Sequence, residues 1–178
     1  MSYGTILEVT AFEMLPDGRS LVETIGRERF RISDWSVRDG YIIARTHVLP
    51  DLEPTMYVPP SPPVRGMLSP AILRERNAEE FGTVELVWLT RCFVEGLRNV
   101  EEIGRSPRGR AEVEGMIEEL DRTGDAVKFG WWVGSKLPLR EDAGYELLLQ
   151  SGVREIYLLL GNWIGEMERQ TWYVALSP

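Results

Sequence analysis

A chain of 178 residues with 43% hydrophobic content fits one domain or two small subdomains, and six tryptophans supply bulk for a core. The net charge is −8, of which residues 78–178 carry −7 and residues 1–77 only −1, and this disfavours a nucleic-acid partner, whose binding rests on basic charge. One cysteine, Cys92, excludes an internal disulfide framework and a zinc site of several cysteines, no signal peptide opens the chain, and no run reaches the ~18 apolar residues of a membrane span.

The first section is β-rich, with expected strands at 4–12, 20–25, 28–36 and 40–48. Asp17-Gly18 and Asp39-Gly40 are hairpin signals, because Gly accepts the positive φ that tight turns demand. In the third strand Phe30 and Ile32 alternate with Arg27, Arg29 and Arg31. Period two turns the apolar pair inward and the arginines outward. The arginine face is then either a ligand platform or a solubilising face paired with Glu8, Glu23 or Asp34. His47 ends the fourth strand, with no Gly-x-Ser-x-Gly nucleophile motif anywhere near it.

Residues 50–70 hold seven prolines, Pro50, Pro54, Pro59, Pro60, Pro62, Pro63 and Pro70. Proline lacks the backbone donor and fixes φ, so neither a helix nor a central strand is expected there. The organisation read from the sequence is a β subdomain at 1–49, a Pro-rich linker at 50–77 and a helical bundle subdomain at 78–178.

The bundle begins with a helix over 78–102, marked by Leu86, Leu89, Phe93, Leu97 and Val100. Cys92, beside Phe93 on this helix, reads as a buried structural thiol. Val113, Met116, Ile117 and Leu120 follow the i, i+3, i+4, i+7 pattern of a second helix. Asp125 caps a third, which carries Phe129, Trp131, Trp132 and Val133 and stops near Leu137-Pro138. Ser151 is placed to cap the last, whose apolar stripe runs from Val153 to Met167. The tail 172–176 reads equally as a helix end or a short strand.

Taken in order, these motifs resemble the substrate-binding N-terminal domain of the Lon protease family. The resemblance rests on Tyr3-Gly4-Thr5-Ile6-Leu7-Glu8-Val9, Leu15-Pro16-Asp17-Gly18-Arg19 and Ile25-Gly26-Arg27-Glu28-Arg29-Phe30-Arg31-Ile32, then on Phe129-Gly130-Trp131-Trp132-Val133, Lys136-Leu137-Pro138-Leu139 and Ser151-Gly152-Val153-Arg154-Glu155. The Trp-Trp ahead of Leu-Pro-Leu is most similar to the version in LON-domain RING finger proteins. The resemblance implies an α+β fold, a partial antiparallel β barrel of PUA-like type with a C-terminal helical bundle. It implies a non-catalytic domain that recognises protein substrates or unfolded polypeptide without a cofactor. Any protease or ubiquitin-ligase activity would come from other segments or chains; the single Cys92 independently suggests a reducing compartment, the cytoplasm or nucleus. No Gly-x-x-x-x-Gly-Lys-Ser/Thr loop and no RING cysteine set is present. The family's usual first strand and the helix after it are not matched. A barrel short of one strand has an open edge, so a partner strand, a second copy of the chain or the tail 172–176 is expected there.

The binding candidates are Trp131 and Trp132, with Trp35 and Tyr57 as companions. The Trp pair serves either as bundle core or as lining of an apolar groove, since interface hot spots favour Trp. The adjacent carboxylates Glu79-Glu80, Glu101-Glu102 and Glu118-Glu119 point about 100° apart on a helix and do not converge as a glycosidase pair does. A small hydrolase with a different carboxylate site and a small-molecule-binding module remain the alternative readings. No catalytic or metal-binding set is assigned.

Overall fold

Two Asp-Gly turns shape the first section of the chain. The computed structural model describes residues 2–50, 56–97, 106–137 and 143–176, divided into two units, Met1–Asp51 and Leu52–Pro178. The first unit is an antiparallel sheet of β1 (Ser2–Met14), β2 (Ser20–Arg38) and β3 (Tyr41–Val48), in the order β1-β2-β3. Asp39 and Gly40 both adopt positive φ, 52° and 82°, as a two-residue type I′ hairpin requires. At the other turn the Leu15 N–H donates to the Arg19 carbonyl at 2.7 Å, and the Asp17 carboxylate accepts from the Arg19 side chain. That bond from Arg19 holds the Asp17 carboxyl below its ordinary value.

The two middle strands expected at 20–25 and 28–36 are one continuous strand. The Gly26 corner is a register shift against β1, where the pairing steps from Thr5↔Arg29 to Leu7↔Gly26. An extra residue of this kind bends a strand without ending it. β2 pairs with β1 along its first part and with β3 along its last, and both neighbours meet it only at Phe30–Ile32. There Phe30 lies opposite Gly4 on one side and Val48 on the other. A Cβ on Gly4 would come within 2.7 Å of the Phe30 ring, so the glycine lets the ring lie flat over β1.

Cross-strand partners share a face. Phe30, Ile32, Trp35 and Val37 therefore line one face with Val48, Thr46, Ala44 and Ile42. Arg29, Arg31, Asp34 and Arg38 lie on the other, where Arg31 faces His47 and Asp34 faces Arg45. Arg27 makes an ion pair with Glu8. Phe30 and Ile32 are half-buried, but Trp35, Val37 and Ile42 are 63%, 63% and 74% exposed, and no described residue of this unit is buried.

The second unit is helical. It contains α1 (Pro62–Met67), the 3-10 turns Pro70–Arg74 and Ala78–Glu80, α2 (Thr83–Gly96), α3 (Pro107–Thr123), α4 (Ala126–Lys136), α5 (Ala143–Leu148) and α6 (Val153–Leu176). The chain is thus α+β. The Pro-rich stretch does not stay extended. Pro62 and Pro63 open α1, where the missing N–H would have had no helical partner. The stretch is also anchored: the Tyr57 N–H donates to the Gly124 carbonyl at 2.7 Å, and Tyr57 and Leu73 are buried in the helical core. The tail 172–176 is the end of α6 and supplies no strand to the sheet.

Helix boundaries follow local chemistry. Asp125 caps α4, its carboxylate accepting from the Lys128 N–H at 2.9 Å. Ser106 caps α3 through the Gly109 N–H, and Gly124 closes it at φ 70°. The helix expected over 78–102 is interrupted at Gly82, whose N–H donates to the Glu85 carboxylate at 2.7 Å and starts α2 afresh; Val100 lies outside the described residues. α6 begins at Val153, with Gly152 rather than Ser151 directly before it. The core is built around α6, where Ile156, Tyr157, Leu160 and Ile164 are fully buried with Leu86 and Leu89 of α2 and Phe129 of α4. Glycines allow close approach: a Cβ on Gly165 would lie 2.6 Å from the Leu73 carbonyl oxygen, and one on Gly130 would lie 2.8 Å from Ile156. No described helix is long and apolar enough to cross a membrane.

Candidate functional site

The side chains of α2, α3 and α4 leave a groove between them. Val94 and Leu97 come from the end of α2, Gly109, Glu112 and Val113 from α3, and Trp132, Val133 and Lys136 from α4. Its volume is about 240 Å³. Val94, Val113 and Val133 are buried and form an apolar floor. Trp132 is half-buried on the wall, stacked against Phe129 at 6.2 Å with 22° between the rings. Its indole N–H donates to the Glu112 carboxylate at 3.3 Å, and Lys136 reaches the same carboxylate at 2.6 Å. The site is an apolar slot with one wet, charged rim. It can hold an apolar side chain and hydrogen-bond a backbone beside it.

The rim carboxylate is ionised by design of its surroundings. The Lys136 hydrogen bond, and after it that of Trp132, holds the Glu112 carboxyl below its ordinary value of 4.5. Further along the same two helices, Lys128 does the same for Glu119 at 2.7 Å. A carboxyl depressed in the folded state contributes stability above its unfolded value and loses it as pH falls through the folded one. The thermal midpoint of the helical unit is therefore expected to hold steady down to about pH 5 and to drop below about pH 4.5. The double variant Glu112→Gln, Glu119→Gln should start lower and fall less steeply. Circular-dichroism melts across pH read both slopes, and equal slopes would remove these two pairs as the cause.

The four sequence candidates are not gathered at one place. Trp132 lines the groove. Trp131, its neighbour on α4, is half-buried and packs on the helical core. Trp35 belongs to the other unit and stands on the apolar face of the sheet. Tyr57, expected as a companion of the Trp pair, is instead a core residue at 6% exposure. Burial pushes its hydroxyl up to about 12.

The remaining candidates for chemistry do not assemble. Burial raises the Cys92 thiol, the reverse of what a reactive thiolate needs. Glu80 is committed to Arg76 and to the Asn77 N–H, which hold its carboxyl low. Glu118 is exposed, and Glu101 and Glu102 lie outside the described residues. Among the described residues no group of three or more His, Cys, Asp or Glu could hold a metal. The groove's valines, Glu112 and Lys136 were not among the sequence candidates. They sit on three helices, so no local spacing brings them together; the one available signal was Trp132.

The family model described as the ATP-dependent protease La (LON) substrate-binding domain matches residues 1–155. The match spans both units and takes in α2, α3 and α4, the three helices that form the groove.

Proposed function

The chain belongs to the family of Lon substrate-binding domains, and on that premise we propose that it recognises unfolded or extended polypeptide, with the groove beside Trp132 receiving an apolar side chain. The observation that carries this reading is the family match over residues 1–155, whose description names the substrate-binding domain of the ATP-dependent protease. The groove supports it by size and lining. At about 240 Å³ it falls below the ~300–1,000 Å³ of typical small-molecule pockets. An apolar floor with a Glu112–Lys136 rim suits a side chain whose backbone stays in water.

Two finer readings belong to the same proposal. The link to protein quality control and ubiquitin ligation rests on the likeness of Trp131-Trp132 and Leu137-Pro138-Leu139 to LON-domain RING finger proteins, with the catalysis on other segments or chains; a cytoplasmic or nuclear setting rests on the single Cys92, which suits a reducing compartment. Strand addition by a partner or a second copy is favoured by the sheet, in which, among the described residues, β1 and β3 each pair with β2 alone. Trp35 and the exposed apolar face around it would flank such a strand.

Calorimetric titration tests the main reading. A reduced, carboxymethylated polypeptide is expected to bind saturably, and the same protein in its folded, disulfide-intact form is expected not to bind. Equal heats from both forms, or none from either, would overturn it.

A further inference from the structure

A second pocket in the helical unit has the opposite chemistry to the groove. It lies where α6 passes the two 3-10 turns and has a volume of about 310 Å³. Arg74, Arg76 and Asn77 line it from the connection, and Asn162 and Arg169 line it from α6. The approach of Gly165 to the Leu73 carbonyl brings the two segments this close. In a chain of net charge −8, three arginines meet here with Glu75 as the only acid in the lining. Even with Glu80, the partner of Arg76, counted in, the balance is +1.

The donors are in excess. Arg169 Nη1 donates to the Arg74 carbonyl at 3.5 Å, and no carboxylate among the described residues lies within ion-pair distance of it. The side-chain oxygen of Asn77 accepts from the Glu79 N–H, which leaves its amide hydrogens to point elsewhere. The Asn162 side chain is exposed and has no hydrogen-bond partner among the described residues. Arg74 meets Glu75 at 2.9 Å and adds its positive charge to the wall. Guanidinium groups present planar forks that match carboxylate and phosphate oxygens two at a time.

We propose that this pocket is an oxyanion site, which takes a carboxylate or phosphoryl group through Arg169, Asn162 and Asn77, in the positive field to which Arg74 and Arg76 add. The site is separate from the Trp132 groove and stands whether or not that groove binds polypeptide. The ligand's oxyanion has two possible sources, a free phosphate or the acidic side chains of a polypeptide.

The test is a titration of the full chain with inorganic phosphate in one arm and a short polyglutamate peptide in the other, read from the side-chain amide signals of Asn77 and Asn162. At least one probe is expected to shift both signals saturably, with affinity falling as salt is added. Tighter binding of the peptide assigns the site to acidic polypeptide, and tighter binding of phosphate assigns it to the free ion. Arg169→Gln should weaken the binding by about tenfold, and Arg169→Lys should restore only part of it, because the charge returns without the fork. Arg169 is exposed, so these variants keep the fold. Trp132→Ala should leave the anion titration unchanged. No saturable shift with either probe, or equal affinity in Arg169→Gln, would overturn the proposal.

Discussion

Replacing Tyr157 by alanine is expected to cost the helical unit about 4 kcal/mol, the middle of the range for a large aromatic removed from a core. Tyr157 has no exposed surface, packs where α4 and α6 cross, and donates its hydroxyl to the Ala126 carbonyl at 2.8 Å. Desolvation keeps that hydroxyl protonated well above its ordinary value of 10.0, so the bond persists across the physiological range. Gly130 on α4 is shaped to this neighbour, since a Cβ there would meet Ile156 at 2.8 Å and the Tyr157 ring at 3.4 Å. The cavity left by alanine has rigid helices on its borders and little room to collapse. Against a typical domain stability of about 5–15 kcal/mol, the loss approaches unfolding. Tyr157→Phe separates the two contributions: it keeps the ring and should cost only about 1 kcal/mol for the lost hydrogen bond. Urea unfolding followed by the helical signal measures both variants. A loss below about 1 kcal/mol for the alanine variant would mean that the crossing of α4 and α6 does not hold the unit together.

Trp132→Ala should weaken polypeptide binding by about thirtyfold, equivalent to about 2 kcal/mol for a hot-spot aromatic. The same change should cost only about 1–2 kcal/mol of stability, because the ring is half-buried and part of its contact is with Phe129. Binding must therefore be compared well below the melting transition. Trp132→Phe refines the result. It retains an apolar wall but removes the indole N–H that holds Glu112, so a small further loss would measure the rim. Trp35→Ala is the informative control, since Trp35 is the most prominent exposed aromatic on the sheet face. An equal loss in Trp35→Ala, with Trp132→Ala unchanged, would move recognition from the groove to the sheet.

What could be read from the sequence was whatever a short window encodes. Asp39-Gly40 specified a hairpin because two consecutive positive φ values leave few other residue choices. Asp125 marked the start of α4, and Pro138 lies two residues after its last residue, Lys136. The order of such signals was enough to reveal the family and the α+β class. The errors arose where distant residues decide. The Gly26 corner looked like a strand end, but pairing with β1 carries β2 straight through it with one extra residue. The Pro-rich stretch reads as extended because proline is barred from helix interiors, yet proline suits the first turn of a helix, where Pro62 and Pro63 sit. Tyr57 reads as a companion of the Trp pair from its place by the Pro-rich linker, whereas its bond to the Gly124 carbonyl draws it into the core. The groove and the arginine pocket share that character. Glu112 meets Trp132 and Lys136 across twenty or more residues, and Arg169 meets Arg74 across ninety-five.

The central claim, that the groove beside Trp132 receives polypeptide, is tested most directly by amide correlation spectra of the full chain with and without a reduced, carboxymethylated polypeptide. The account predicts saturable shifts concentrated at Val94, Gly109, Val113, Trp132, Val133 and Lys136, together with the Trp132 indole signal. Shifts confined to the sheet around Trp35 and Ile42, with the groove signals unmoved, would contradict it.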